Sequence, residues 1–172
     1  MIDDAQLAEQ AAAGDEKAFA ELVGRHADRV FRTARQWCGS RADAEDITQE
    51  VFMRLARKIH TFRGESKFTT FLYKITVNEA RNHYTKEKRR VTRETEYSKG
   101  LPDTQPAADG ANPRVSELLQ RLPPEQREAV VLVICDGLSH RDAAQALGCA
   151  EKTVTWRIFE ARKKLAEWYG HG

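Results

Sequence analysis

The chain has 172 residues, with 28 Lys and Arg against 26 Asp and Glu, 41% hydrophobic and 31% charged residues, and three cysteines. This length holds one ordinary domain or two small ones, and such a charge density suits helical surfaces better than a large β core. No stretch approaches the roughly 20 apolar residues of a membrane-spanning helix; the acidic start, Met1-Ile2-Asp3-Asp4, is unlike a secretory signal, so the chain is expected in the cytoplasm with no membrane insertion.

All five prolines lie between Pro102 and Pro124. The long flanking segments are free of the strongest helix breaker, which divides the chain into two helical blocks and a broken middle. In the first block Phe19, Leu22, Val23, Val30, Phe31, Ala34 and Trp37 recur at three- and four-residue steps. They predict one helix with an apolar face, capped by Asp15 and ended by Gly39.

A second helix is expected from Ser40, where Asp43 completes a Ser-x-x-Asp capping pattern, with Ala44, Ile47, Val51, Leu55 and Ile59 as its stripe. Its other face is acidic. Asp43, Asp46 and Glu50 share one side, with Gln49 and Met53 beside them, and no base falls between Asp43 and Glu50. Such a strip repels itself, and a basic partner would relieve that repulsion.

The loop Thr61-Phe62-Arg63-Gly64-Glu65-Ser66-Lys67-Phe68 combines aromatics, cations, a hydroxyl and a glycine, chemistry suited to an unstacked base, although Phe62 and Phe68 also read as core residues. A third helix is predicted from about Ser66, with Phe68, Phe71, Leu72 and Ile75 inward. It ends strongly basic: Arg81, Lys86, Lys88, Arg89, Arg90 and Arg93 against Glu87 give a local charge of +5. Asn78, Asn82, His83 and Tyr84 add hydrogen-bonding and stacking groups to a field that attracts phosphate.

From Glu94 to Pro113 the sequence has three prolines, two glycines and almost no large apolar residue, so it reads as a flexible linker. The expected fold is therefore all-α: a first domain over 1–93, a linker over 94–113 and a second domain over 114–172. In the second domain Pro123-Pro124 opens a helix with Ala129, Val130, Leu132 and Val133 inward, ended by Gly137. Ser139 and Asp142 cap the next, and after Gly148 comes a longer helix with Val154, Ile158, Ala161 and Leu165 buried. This is the pattern of a helix-turn-helix. Lys152 to Lys164 carries a net +4.

Cys38, Cys135 and Cys149 lack paired spacing and are expected as buried thiols; His26, His60, His83, His140 and His171 lack metal-ligand spacing. With no phosphate-binding glycine loop, neither metal, cofactor nor catalytic residue is expected.

Three ordered segments of the first block, Asp43-Ala44-Glu45-Asp46-Ile47-Thr48-Gln49-Glu50-Val51-Phe52, Phe62-Arg63-Gly64-Glu65-Ser66, and Phe71-Leu72-Tyr73-Lys74-Ile75 with Asn78, closely resemble the extracytoplasmic-function (ECF) sigma factors of bacterial RNA polymerase, in the sigma-70 family. Leu122-Pro123-Pro124-Glu125-Gln126-Arg127, Gly137-Leu138-Ser139, and Thr153-Val154 with Arg157 and Ala161-Arg162 resemble the fourth conserved region of the same family. The resemblance spans roughly residues 15 to 168.

The resemblance implies a transcription initiation factor rather than an enzyme. Asp43, Asp46, Gln49, Glu50 and Met53 would bind core RNA polymerase, whose largest-subunit clamp helices and flap are the implied contacts. Phe62, Arg63, Ser66, Lys67, Asn78, Arg81, Asn82, Lys86, Lys88 and Arg89 would bind the minus-ten promoter element and its melted junction. Lys152, Thr153, Thr155, Trp156, Arg157, Phe159, Glu160 and Arg162 would bind minus-thirty-five DNA, and an anti-sigma factor would control the whole. Phe71 stands where the family usually has Trp, Ala150 where it has a hydroxyl N-cap, and Lys152 where Gly is common. A stand-alone helix-turn-helix regulator and a helical adaptor without a DNA role are the rival readings; the first would bind DNA without polymerase, and in the second the basic runs would be dispensable.

Overall fold

Local capping chemistry sets most helix boundaries in the computed structural model, which describes residues 1–94 and 112–170. Helix α1 (Asp4–Ala12) starts at Asp3, whose side chain accepts from the Gln6 backbone while the Gln6 side chain accepts from that of Asp3. In α2 (Glu16–Cys38) the Asp15 carboxylate accepts from Lys17 and Ala18. Gly39, at φ 71°, closes that helix by donating to the Arg35 carbonyl. Ser40 then caps α3 (Arg41–Lys58), accepting from Asp43 N at 3.3 Å. Both caps of α2 and the start of α3 match the expectation, whereas α1 is an additional helix ahead of the expected first one.

A 3-10 turn (Ile59–Thr61) and the loop that follows lead into α4 (Phe68–Glu94), two residues later than expected. Leu7 and Ala8 of α1, Leu22, Val30 and Ala34 of α2, Ile47, Val51 and Leu55 of α3, and Phe68, Leu72 and Ile75 of α4 close the first core. Their three- and four-residue spacing puts each set on one helix face.

The expected linker lies outside the described residues except at its ends: Glu94 finishes α4, Asn112 caps α5 (Pro113–Arg121), and Pro113 is that helix's first residue. Proline is favoured there because the first helical N–H has no partner to lose. Then come α6 (Pro124–Val130), a π-helical segment (Val131–Cys135), α7 (His140–Leu147) and α8 (Glu151–Gly170). Ser139 caps α7, and Gly148, at φ 71°, makes the turn before α8. The expected buried thiols need correcting: Cys38 and Cys149 are half-buried, and Cys135, at the end of the π-helical segment, is exposed.

The two helical blocks pack against each other. Trp37, Tyr73, Val77 and Ala80 of the first share a core with Leu119, Leu122, Leu132, Ala143, Leu147, Val154 and Ile158 of the second. Arg127 organises the junction. Buried, it donates to the carbonyls of Leu119, Gln120 and Leu122 at the end of α5, and to Trp37 O across the interface. Those α5 carbonyls have no helical partner of their own, so one cation satisfies several acceptors at once. Burial lowers the Arg127 pKa from its ordinary value, but a guanidinium stays charged.

Candidate nucleic-acid interface and acidic docking strip

Helix α3 buries its apolar stripe and turns the acidic row outward. Asp46, Gln49, Glu50 and Met53 are exposed and Asp43 is half-buried, so the five expected polymerase-facing residues do share one face. The strip is less isolated than its sequence implied. Asp46, Gln49 and Glu50 of α3 and Glu79, Asn82, His83 and Lys86 of α4 line a common groove, lined also by Arg54, which pairs with Glu79 at 3.0 Å. Sequence spacing gave no hint of Arg54 and Glu79, because the pair joins two helices 25 positions apart.

The expected minus-ten residues fall on two neighbouring features. In the loop, Phe62 is half-buried, edge-on to Phe68 at 5.8 Å between ring centroids and tilted against Phe71 at 5.3 Å. Phe68 is fully in the core, as the alternative reading allowed. Arg63 and Lys67 project outward, Ser66 is half-buried, and Gly64 (φ 75°) turns the loop. On α4, Asn78 and Asn82 are exposed one turn apart, beside a hollow lined also by Arg54, Lys58, Glu79 and Arg81. Lys86, Lys88 and Arg89 are exposed along its last turns.

Two of these cations are engaged by the second block. Arg81 grips Glu128 through two hydrogen bonds, which raise its pKa further, and donates to Leu147 O at 3.2 Å. Lys67 reaches Asp142 at 3.2 Å. Nearby, the Asp136 carboxylate accepts from Thr33 Oγ1 at 2.7 Å and from the Tyr73 hydroxyl. Burial raises the pKa of Asp136, and pushes that of Tyr73 to about 12.

Helix α8 exposes Lys152, Thr155, Trp156 and Phe159 along one shallow hollow; Trp156 and Phe159 keep 60% and 59% of their surface in solvent, far more than a packing role allows. Arg162 is also exposed, but Thr153, Arg157 and Glu160 are half-buried at the edge of this face. Arg157 leans back to Cys149 Sγ at 3.8 Å and Glu125 at 4.0 Å. No hydroxyl caps α8: Ala150 offers only its carbonyl, to Thr153 and Val154, and Glu151 in the first turn supplies negative charge near the helix dipole.

Comparison with known proteins agrees with this layout. The family described as Sigma-70 region 2 matches residues 22–90, and Sigma-70, region 4 matches residues 114–165. The ECF RNA polymerase sigma-E factor of Haemophilus influenzae is 34% identical over 96% of this chain and 94% of its own length. The RNA polymerase sigma-H factor of Pseudomonas aeruginosa is 33% identical over 94% and 91%. Among solved structures, CnrH in complex with the cytosolic domain of CnrY superposes with a TM-score of 0.76 at 30% identity, covering 98% of this chain and 97% of that one. The sigma factor RpoE in complex with the anti-sigma factor NepR from Bartonella quintana gives 0.74 at 27% identity, covering 88% and 96%.

Proposed function

The chain belongs to the ECF sigma factors of the sigma-70 family, and from that premise we propose how its surfaces divide the work of an alternative sigma factor. Asp43, Asp46, Gln49, Glu50 and Met53 dock on the basic clamp helices of core RNA polymerase. The Phe62 to Lys67 loop, Asn78, Asn82 and the basic end of α4 take the minus-ten element. The exposed face of α8 enters the major groove at minus thirty-five, where Trp156 meets thymine methyls and Lys152 and Arg162 meet phosphates.

The observation that carries this reading is the acidic row on α3, which stands in solvent beside the exposed amides and cations of α4. A lone DNA-binding domain gains nothing from carboxylates next to its phosphate-binding surface; a protein that meets a basic partner and DNA together does. Melting then follows from binding energy: the loop favours an unstacked base, and polymerase contacts add to it. The protein itself makes and breaks no covalent bond, and the nucleotide chemistry belongs to the polymerase.

The packed arrangement of the two blocks adds a condition. With Arg81 on Glu128 and Lys67 on Asp142, part of the minus-ten surface is turned toward the second block, so the blocks separate before both promoter elements are read. An anti-sigma factor holds the protein in the closed form, a role supported by the solved RpoE complex with NepR. Co-elution with purified core polymerase tests the docking claim: a stoichiometric complex is expected, and a protein that binds duplex DNA tightly while ignoring core would overturn it.

A further inference from the structure

His83 and Glu87 stand one turn apart on α4 and so project from the same face; the first turn of α3 brings Asp43 opposite them. One donor atom from each of the three lies within 4.8 Å of the other two. The geometry is open on one point. His83 Nε2 is buried and makes no hydrogen bond, although it lies 3.3 Å from Asp43 Oδ1. A buried imidazole nitrogen without a hydrogen-bond partner, in a cluster with two carboxylates, has the chemistry of a metal donor.

We propose that Asp43, His83 and Glu87 form a binding site for a divalent first-row transition metal, with zinc the best match. An imidazole favours such ions over magnesium or calcium, and two carboxylates neutralise the charge. Ligands on a tetrahedral zinc stand about 3.4 Å apart at ordinary bond lengths, so closure needs only a small inward rotation of side chains, the flexible Glu87 above all. Other polar groups around the site are already committed. Arg127 is held by the α5 carbonyls and Gln120 by Trp37 O. The Cys38 thiol donates to Ser40 O at 3.2 Å. Arg90, 3.0 Å from Glu87, is the competing cation that the metal displaces, and it is well exposed.

Occupancy would draw Asp43 away from the acidic strip. On the docking role proposed above, metal therefore weakens the hold on core polymerase.

Zinc titration of the full chain against a chromophoric chelator tests the site, and cobalt absorption identifies the ligands. One saturable equivalent is expected, weakened by at least about tenfold in His83→Gln and in Glu87→Gln, both with the melting temperature of the parent. The cobalt spectrum should lack a thiolate charge-transfer band. Absence of saturable binding, equal affinity in both variants, or a strong thiolate band would overturn the proposal. Core binding measured with and without zinc, with His83→Gln as control, separates the two claims: zinc bound through these residues without any effect on core affinity supports the metal site and contradicts the Asp43 docking role.

Discussion

Arg81 and Glu128 hold each other across the two helical blocks, Nε and Nη2 of the guanidinium donating to the two carboxylate oxygens at 2.8 and 2.7 Å. The glutamate side chain is only 4% exposed and the arginine 40%, so the pair is screened from one side only. Paired fork to fork, Arg81 is held in the geometry that it would otherwise offer to phosphate.

Glu128→Gln therefore tests two consequences at once. The amide keeps a weaker hydrogen bond but loses the charge, and with Arg81 partly exposed the stability loss should be about 1–2 kcal/mol by urea denaturation. Freed of its carboxylate, Arg81 should also raise affinity for a single-stranded minus-ten oligonucleotide several-fold in fluorescence anisotropy. Unchanged DNA affinity would separate Arg81 from that role.

On the opposite face, Asp46→Arg changes an exposed residue, and its effect on stability should stay within about 0.5 kcal/mol. Core polymerase binding, followed by fluorescence titration, should fall by more than about tenfold, because a like charge now faces the basic clamp. A comparable loss of folding would make Asp46 structural instead.

Helix termini were the most legible part of the fold because capping is local chemistry. Asp15, Gly39, Ser40, Ser139 and Gly148 each act within four residues of their own position. The same chemistry announced α1, through Asp3 and Gln6, and α5, through Asn112 and Pro113, but α1 is short and rich in alanine, and Pro113 ends a proline-rich stretch. Of the proposed binding surfaces, the acidic row and the basic turns are readable from periodicity. Their engagement is not: Arg81 with Glu128, Thr33 with Asp136, and Asp43 with His83 join residues far apart in sequence, and no spacing rule encodes such pairs. The partial burial of Arg157 is hidden for a related reason, since α8 is apolar on one face and carries exposed aromatics on the other, which blurs its period.

The junction should also respond to pH through Asp136. Its folded-state pKa is raised above the ordinary 3.8 by burial, so the folded protein binds this proton more tightly than the unfolded chain. Its contribution to stability is full below the ordinary carboxyl pKa, declines as pH rises through the raised folded value, and is flat above it. Asp136→Asn removes the buried charge. The melting temperature of the variant relative to the parent should rise as pH increases above about 4 and then level off once the raised folded pKa is passed, as a pH series by circular dichroism would show; a pH-independent difference would contradict the assignment.

Two substitutions contrast core with surface. Leu132, fully buried in the shared core, should lose about 3 kcal/mol on replacement by Ala. Trp156, 60% exposed, should change stability by no more than about 0.5 kcal/mol on the same replacement, while binding to minus-thirty-five duplex DNA by the protein bound to core weakens by several-fold. If Trp156→Ala instead unfolds the protein and spares DNA binding, α8 uses that face for packing.

Run-off transcription with purified core polymerase tests the central claim most directly. Transcripts from one class of promoter should appear only when both core and this protein are present, and should vanish with Asp46→Arg. Core output unchanged on every host promoter, or operator binding that is complete without core, would contradict the account.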